Sequence, residues 1–200
     1  MKSKHVGTVF IVGSLYYLIA EFICALKFND TFFNTYIFHT ISELGIPNFN
    51  SPLFFLMNSA FILIGITLLI GNLSELKEYI IKNKLIFTLF TLITALGVII
   101  VGLIHGGNPL TSGYHTLGAV MAILGGNILL VIISRSMRQY GNYQKITLVL
   151  GVIGLIVFWI MFFNIKNMYM PVFERLSVYT LILWSLITGV YLRKNSLNTL

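Results

Sequence analysis

Charge is what this sequence has least of. Only 10% of its 200 residues are Asp, Glu, Lys or Arg, while 57% are hydrophobic. A water-soluble domain usually carries about 25% charged residues. A chain this poor in charge cannot cover a globular surface in water, so its solvent must largely be lipid. Acidic groups are the scarcest, six against thirteen basic ones. The resulting net charge of +7 does not point to nucleic acid. The basic residues are spread over short loops, and none cluster beside stacking aromatics. One cysteine, Cys24, excludes an internal disulfide and any CxxC pair. The "EFI" before it lacks the small residue that a lipid-modified cysteine needs. There is no nucleophile elbow, phosphate loop, haem-attachment motif or dinucleotide fingerprint. No apolar run holds a histidine near its centre, so a haem held between facing histidines is excluded as well. The first run is too long for a removed leader and lacks an A-x-A cleavage site, which predicts a retained first span.

What the chain does have is long apolar runs. A spanning helix needs about 20 mainly apolar residues, and six segments qualify: Val6–Leu26, Pro52–Gly71, Leu85–Leu103, Thr116–Ser134, Ile146–Phe163 and Leu176–Leu192. The expectation is an all-α, polytopic membrane protein forming one domain over residues 1–200. Lys and Arg favour cytoplasmic loops. With the N-terminus inside, that side holds Lys2, Lys4, Lys77, Lys82, Lys84, Arg135, Arg138, Lys145, Arg193 and Lys194, and the outer side only Lys27, Lys166 and Arg175. The bias places the protein in the cell membrane with both termini cytoplasmic. Glu75 and Glu78 then belong to a solvated inner turn. The remaining acids, Glu21, Asp30, Glu43 and Glu174, gather at the outer side, together with His39, His105 and His115.

The link between spans one and two, about 25 residues, is far longer than a turn needs. In "TFFNTYIFHTISEL", Phe32, Phe33, Tyr36, Ile37, Thr40, Ile41 and Leu44 fall on one helical side. This pattern predicts an interfacial or re-entrant helix over Thr35–Leu44, ended by Gly45 and Pro47. Asn50 or Ser51 would then cap span two. His39 and Glu43, four apart, would share a face. In span four, Gly118, Ala122 and Gly126 recur every four residues and offer a flat stripe for another backbone, in this chain or in a second copy. Glu174 and Arg175 open span six. A positive charge there runs against the helix dipole, so Arg175 needs an anion, and Glu43, Asp30, Glu21 or a headgroup phosphate would serve. We expect the Glu43 pairing, with His115 and Asn58 nearby.

Three quoted stretches carry a family resemblance: "ISELGIPNFNSPLFFLMNSAFILIGITLLI", "GYHTLGAVMAILGG" and "ERLSVYTLILWSLITGVYL". The shared features are Ser42, Leu44 and Gly45, then Asn58, then His115, then Glu174 with Arg175. In these the chain resembles a family of small bacterial and archaeal membrane proteins catalogued as a domain of unknown function. The resemblance covers Ile41 to Leu192. It implies a six-helix membrane protein and supplies no activity. Where relatives have an acid before span four, this chain has "HGGN", which argues against a shared metal site.

Three functional readings stand at this point. The first is a polar pocket at the outer end that binds or moves a lipid headgroup or small amphiphile, lined by His39, Ser42, Glu43, Asn58, His115, Glu174, Arg175 and Glu21. The second is an intramembrane hydrolase using histidine and glutamate, where a metal would fall to His39, His105 and His115. The third is an accessory subunit without chemistry. The expected partners are membrane lipids. No cofactor and no nucleic acid is expected.

Overall fold

The computed structural model describes residues 3–137 and 141–197. Lys2 and Arg138, both in the basic count above, lie outside the described residues. The elements are α1 (Ser3–Lys27), α2 (Phe32–Phe38), a 3-10 turn (Ser42–Gly45), α3 (Phe54–Gly71), α4 (Lys77–Tyr79), α5 (Lys84–Leu103), α6 (Ser112–Ser136), α7 (Gly141–Phe163) and α8 (Met170–Leu197). A π turn, Asn72–Leu76, joins α3 to α4 without a break in the rod. No strand occurs among the described residues. Six helices are long and apolar enough to cross a membrane.

The largest shift from the expected boundaries is at α8, which begins at Met170 rather than Leu176. Pro171 sits inside its first turn, where a missing N–H leaves no bond unmade. Glu174 and Arg175 therefore fall in the second turn, not the first. At α3 the cap position is Leu53, with no side-chain bond. Ser51 does not cap it. Its hydroxyl donates instead to the Leu44 carbonyl.

The helices form a ring. Each spanning helix packs on its sequence neighbours, and α8 returns to pack on α1. A lighter contact between α6 and α8 crosses the interior and leaves α7 at the periphery. The outer surface is apolar, with Val12, Ile19, Leu85, Val149, Ile156 and Phe163 among the exposed side chains. Such a surface suits hydrocarbon, where only helices with internally satisfied backbones can span.

Small residues set the helix spacing. A Cβ on Gly97 would meet the Ala122 backbone N at 2.6 Å and the Gly118 carbonyl at 2.7 Å. The stripe that the sequence offers to a neighbouring backbone is thus occupied by α5, and Gly126 meets Thr94 and Leu181. Within this chain the stripe packs against α5 and α8.

Candidate functional site

The predicted long helix between spans one and two is broken. It runs as α2 to Phe38, passes through extended backbone at His39, and resumes as the 3-10 turn. A continuous helix would use the His39 carbonyl and the Ile41 N–H internally. Here Arg175 Nη1 donates to the His39 carbonyl at 2.5 Å. The Ile41 N–H donates to Glu174 Oε2 at 3.0 Å. Two side chains of α8 thus take the bonds that would have continued the helix. The strap 39–45 is fastened at its far end as well. Asn58 Nδ2 donates to the Gly45 carbonyl at 2.9 Å. A Cβ on Gly45 would collide with the Asn58 amide oxygen, so glycine is required by close approach. Ile41 and Leu44 are buried and point into the bundle.

Beneath the strap lies a charged cluster. Arg175 Nε donates to Glu21 Oε1 at 3.1 Å, and both side chains are buried. The Tyr179 hydroxyl donates to the same oxygen at 3.0 Å. Arg175 Nη1 also reaches the Pro171 carbonyl at 3.5 Å. The guanidinium carbon stands 4.9 Å from the centre of the Tyr36 ring, a cation–π contact that strengthens when desolvated. Burial, then the Glu21 carboxylate, pushes the Tyr36 phenol above its ordinary pKa. Three buried polar atoms here have no protein partner: Glu21 Oε2, Arg175 Nη2 and the Tyr17 hydroxyl.

The expected pairing of Arg175 with Glu43 is not what forms. Arg175 takes Glu21, from α1, one of the alternatives the sequence left open. Glu43 Oε2 lies 2.7 Å from His39 Nδ1, and Asp30 Oδ2 lies 3.4 Å from His39 Nε2. This chain of three sits above the strap and is part-exposed. Asp30 is held below the ordinary carboxylate range, first by the Asn34 amide, then by the Thr31 N–H and by His39.

The other candidates separate. His115 does not join the cluster. Its Nδ1–H donates to the Ile104 carbonyl at 2.7 Å and clamps the loop between α5 and α6. His105 lies in that loop, which packs against Ile46 just after the strap. Among the described residues no three His, Cys, Asp or Glu side chains converge as a metal site would require, so His39, His105 and His115 do not form one.

Directly below the strap the ring holds a partly open cavity of about 50 Å³. Its walls come from α1, α3, α5, α6 and α8, and Ile41 and Ser42 of the strap border it. Most of the lining is apolar: Phe61, Ile64, Leu68, Val98, Ile123 and Leu181 among others. The polar contributions are Tyr17, Ser42, Glu174, Asn127 and Ser177. Tyr17 and Tyr179 are not singled out by the sequence, and Tyr36 only as part of the apolar stripe. A signal was present: Tyr17 with Glu21, and Arg175 with Tyr179, are each four apart, so each pair shares a helix face.

Residues 11–191 match the model of a family described as "Protein of unknown function (DUF998)". No curated protein and no solved structure matches the chain.

Proposed function

The chain belongs to the family described as protein of unknown function (DUF998), and from the geometry of its ring we propose that it binds a single-chain amphiphile inside the bundle. The cavity is the observation that carries this reading. Its lining of apolar walls with a few placed polar groups fits a small-molecule site. The apolar chain of the ligand lies between Leu68 and Ile123. The head sits under the strap, near Ser42 and Glu174.

Gentle solubilisation followed by native mass spectrometry tests the proposal. The wild-type protein should retain an amphiphile of defined mass. Ala119 lines the cavity, so Ala119→Phe should fill it and abolish retention while the protein still folds. Absence of any retained amphiphile, or retention unchanged in Ala119→Phe, would overturn the reading.

The basic residues supply the orientation we attach to it. The strap end faces out of the cell and both termini face the cytoplasm. Arg175 is buried and paired, so Lys27 and Lys166 are the basic side chains left to the surface at the strap end. The lone cysteine is buried and gives a low background for labelling. Cysteines placed at Ser112 and Asn167 should react in intact cells, and those at Asn83 and Asn142 should not. The reverse pattern would turn the site to the cytoplasm.

The hydrolase reading gains no comparable support. The ring nitrogens of His39 bond two carboxylates, and His115 bonds a backbone carbonyl. Neither histidine activates a hydroxyl or thiol.

A further inference from the structure

We propose that the cavity selects an amphiphile with a protonated amine head, held by the Glu174 carboxylate. This rests on the cavity reading above and adds the chemistry of the head. Glu174 borders the cavity and accepts one backbone hydrogen bond, from the Ile41 N–H. A carboxylate can accept several such bonds. The nearest cation in sequence does not supply them. The Arg175 Nε and Nη1 hydrogens go to Glu21 and to the carbonyls of His39 and Pro171.

The charges of the cluster lead to the same head. Glu21 and Glu174 are two acidic side chains near one guanidinium, and Arg175 pairs with Glu21 alone. A buried charge without a partner is costly in an apolar setting, and an opposite charge brought by a ligand is correspondingly favoured. An ammonium donates up to three hydrogen bonds. Glu174 accepts one, and the Ser42 hydroxyl and the Tyr17 hydroxyl, the latter without a protein partner, border the same space. A phosphate or carboxylate head would meet Glu174 as a like charge. Arg175 does not border the cavity, so an anionic head meets no guanidinium there. An uncharged alcohol brings no positive charge to Glu174.

The test uses the full chain in nanodiscs of zwitterionic phosphatidylcholine, titrated with dodecylamine, dodecanol and dodecyl phosphate and read by thermal shift and native mass spectrometry. Dodecylamine should bind about tenfold or more tighter than dodecanol, a difference of about 1.4 kcal/mol, and dodecyl phosphate should bind weakest. Glu174→Gln should bring amine and alcohol to within about twofold of each other. Glu174→Asp, which keeps the charge, should keep the preference. Should Glu174→Gln not fold, the order of the three heads on the wild-type protein decides. Binding of dodecyl phosphate ahead of the amine, or an amine preference that survives Glu174→Gln, would overturn the head assignment and leave the cavity reading standing. Binding of none of the three would overturn both.

Discussion

Two polar clusters are buried in this bundle, barely one helical turn apart on α8, and they differ in how completely they are satisfied. The lower one centres on Asn127. Its Nδ2 donates to the Ile123 carbonyl at 2.9 Å, the Ser177 carbonyl at 3.2 Å and the Ser177 hydroxyl at 3.1 Å, and its Oδ1 accepts from Thr180 at 2.7 Å. Ser177 in turn donates to the Gly154 carbonyl at 2.8 Å. The cluster is uncharged, its amide atoms are all bonded, and it ties α6, α7 and α8 together. The upper one, Glu21 with Arg175 and Glu174, is charged and leaves Glu21 Oε2 and Arg175 Nη2 without protein partners. Buried polar groups are normally hydrogen-bonded, so an exception calls for an explanation. The satisfied cluster acts as interhelical glue. The unsatisfied one lies under the strap, and its Glu174 borders the cavity.

The strongest way to break this contrast is Arg175→Ala. It strands the Glu21 carboxylate and releases the His39 carbonyl, and the loss of one member of a buried pair costs about 3–5 kcal/mol. Folded yield and thermal stability should fall sharply. Glu21→Gln combined with Arg175→Gln should recover part of the loss. Single variants as stable as wild type would show that the pair is not buried as described. Thr180→Val sharpens the comparison from the other side. It removes the donor to Asn127 Oδ1 at nearly constant volume. Membrane hydrogen bonds of this kind contribute about 0.6 kcal/mol on average and about 1.7 at most, so melting should shift by a few degrees with amphiphile retention intact. Lost retention would mean that the lower cluster, whose Asn127 and Ser177 border the cavity, holds the ligand as well.

The smallest effect is at the exposed rim. The folded-state pKa of Asp30 is lowered below its ordinary 3.8. Its contribution is therefore complete above that value and is lost as pH falls through the depressed one. Asp30→Asn should melt slightly below wild type at neutral pH, and the two melting curves should converge in strong acid. A gap that widens on acidification would reverse the sign and break the assignment of His39 and Asn34 as its partners.

The legible part of the site was local. His39 and Glu43 meet, as their spacing suggested, although the helix expected to carry them is interrupted between them. Their separation of four is short enough for chain geometry alone to limit the distance. The partner of Arg175 was not legible in the same way. Glu21, Asp30 and Glu43 are all acids at the same end, and periodicity ranks none of them over the others. The break in the helix was hidden for a related reason. The apolar stripe from Phe32 to Leu44 fits a continuous helix, and only the arrival of Glu174 and Arg175 from a distant element offers the backbone better partners.

The sequence by itself determined the solvent, the number of spans and their approximate limits. Apolar length and sparse charge are properties of single segments, and hydrocarbon tolerates few alternatives to a helix. It also marked the end of the bundle where acids collect. Tertiary structure alone decided that α8 closes on α1, that Glu21 therefore stands opposite Arg175, and that Glu174 is left to face a cavity. Those outcomes depend on which helices become neighbours around the ring. That is settled by the fit of Gly7 against Gly189, of Gly97 against Gly118, and of their surroundings, contacts between residues too far apart in the chain for any local pattern to record.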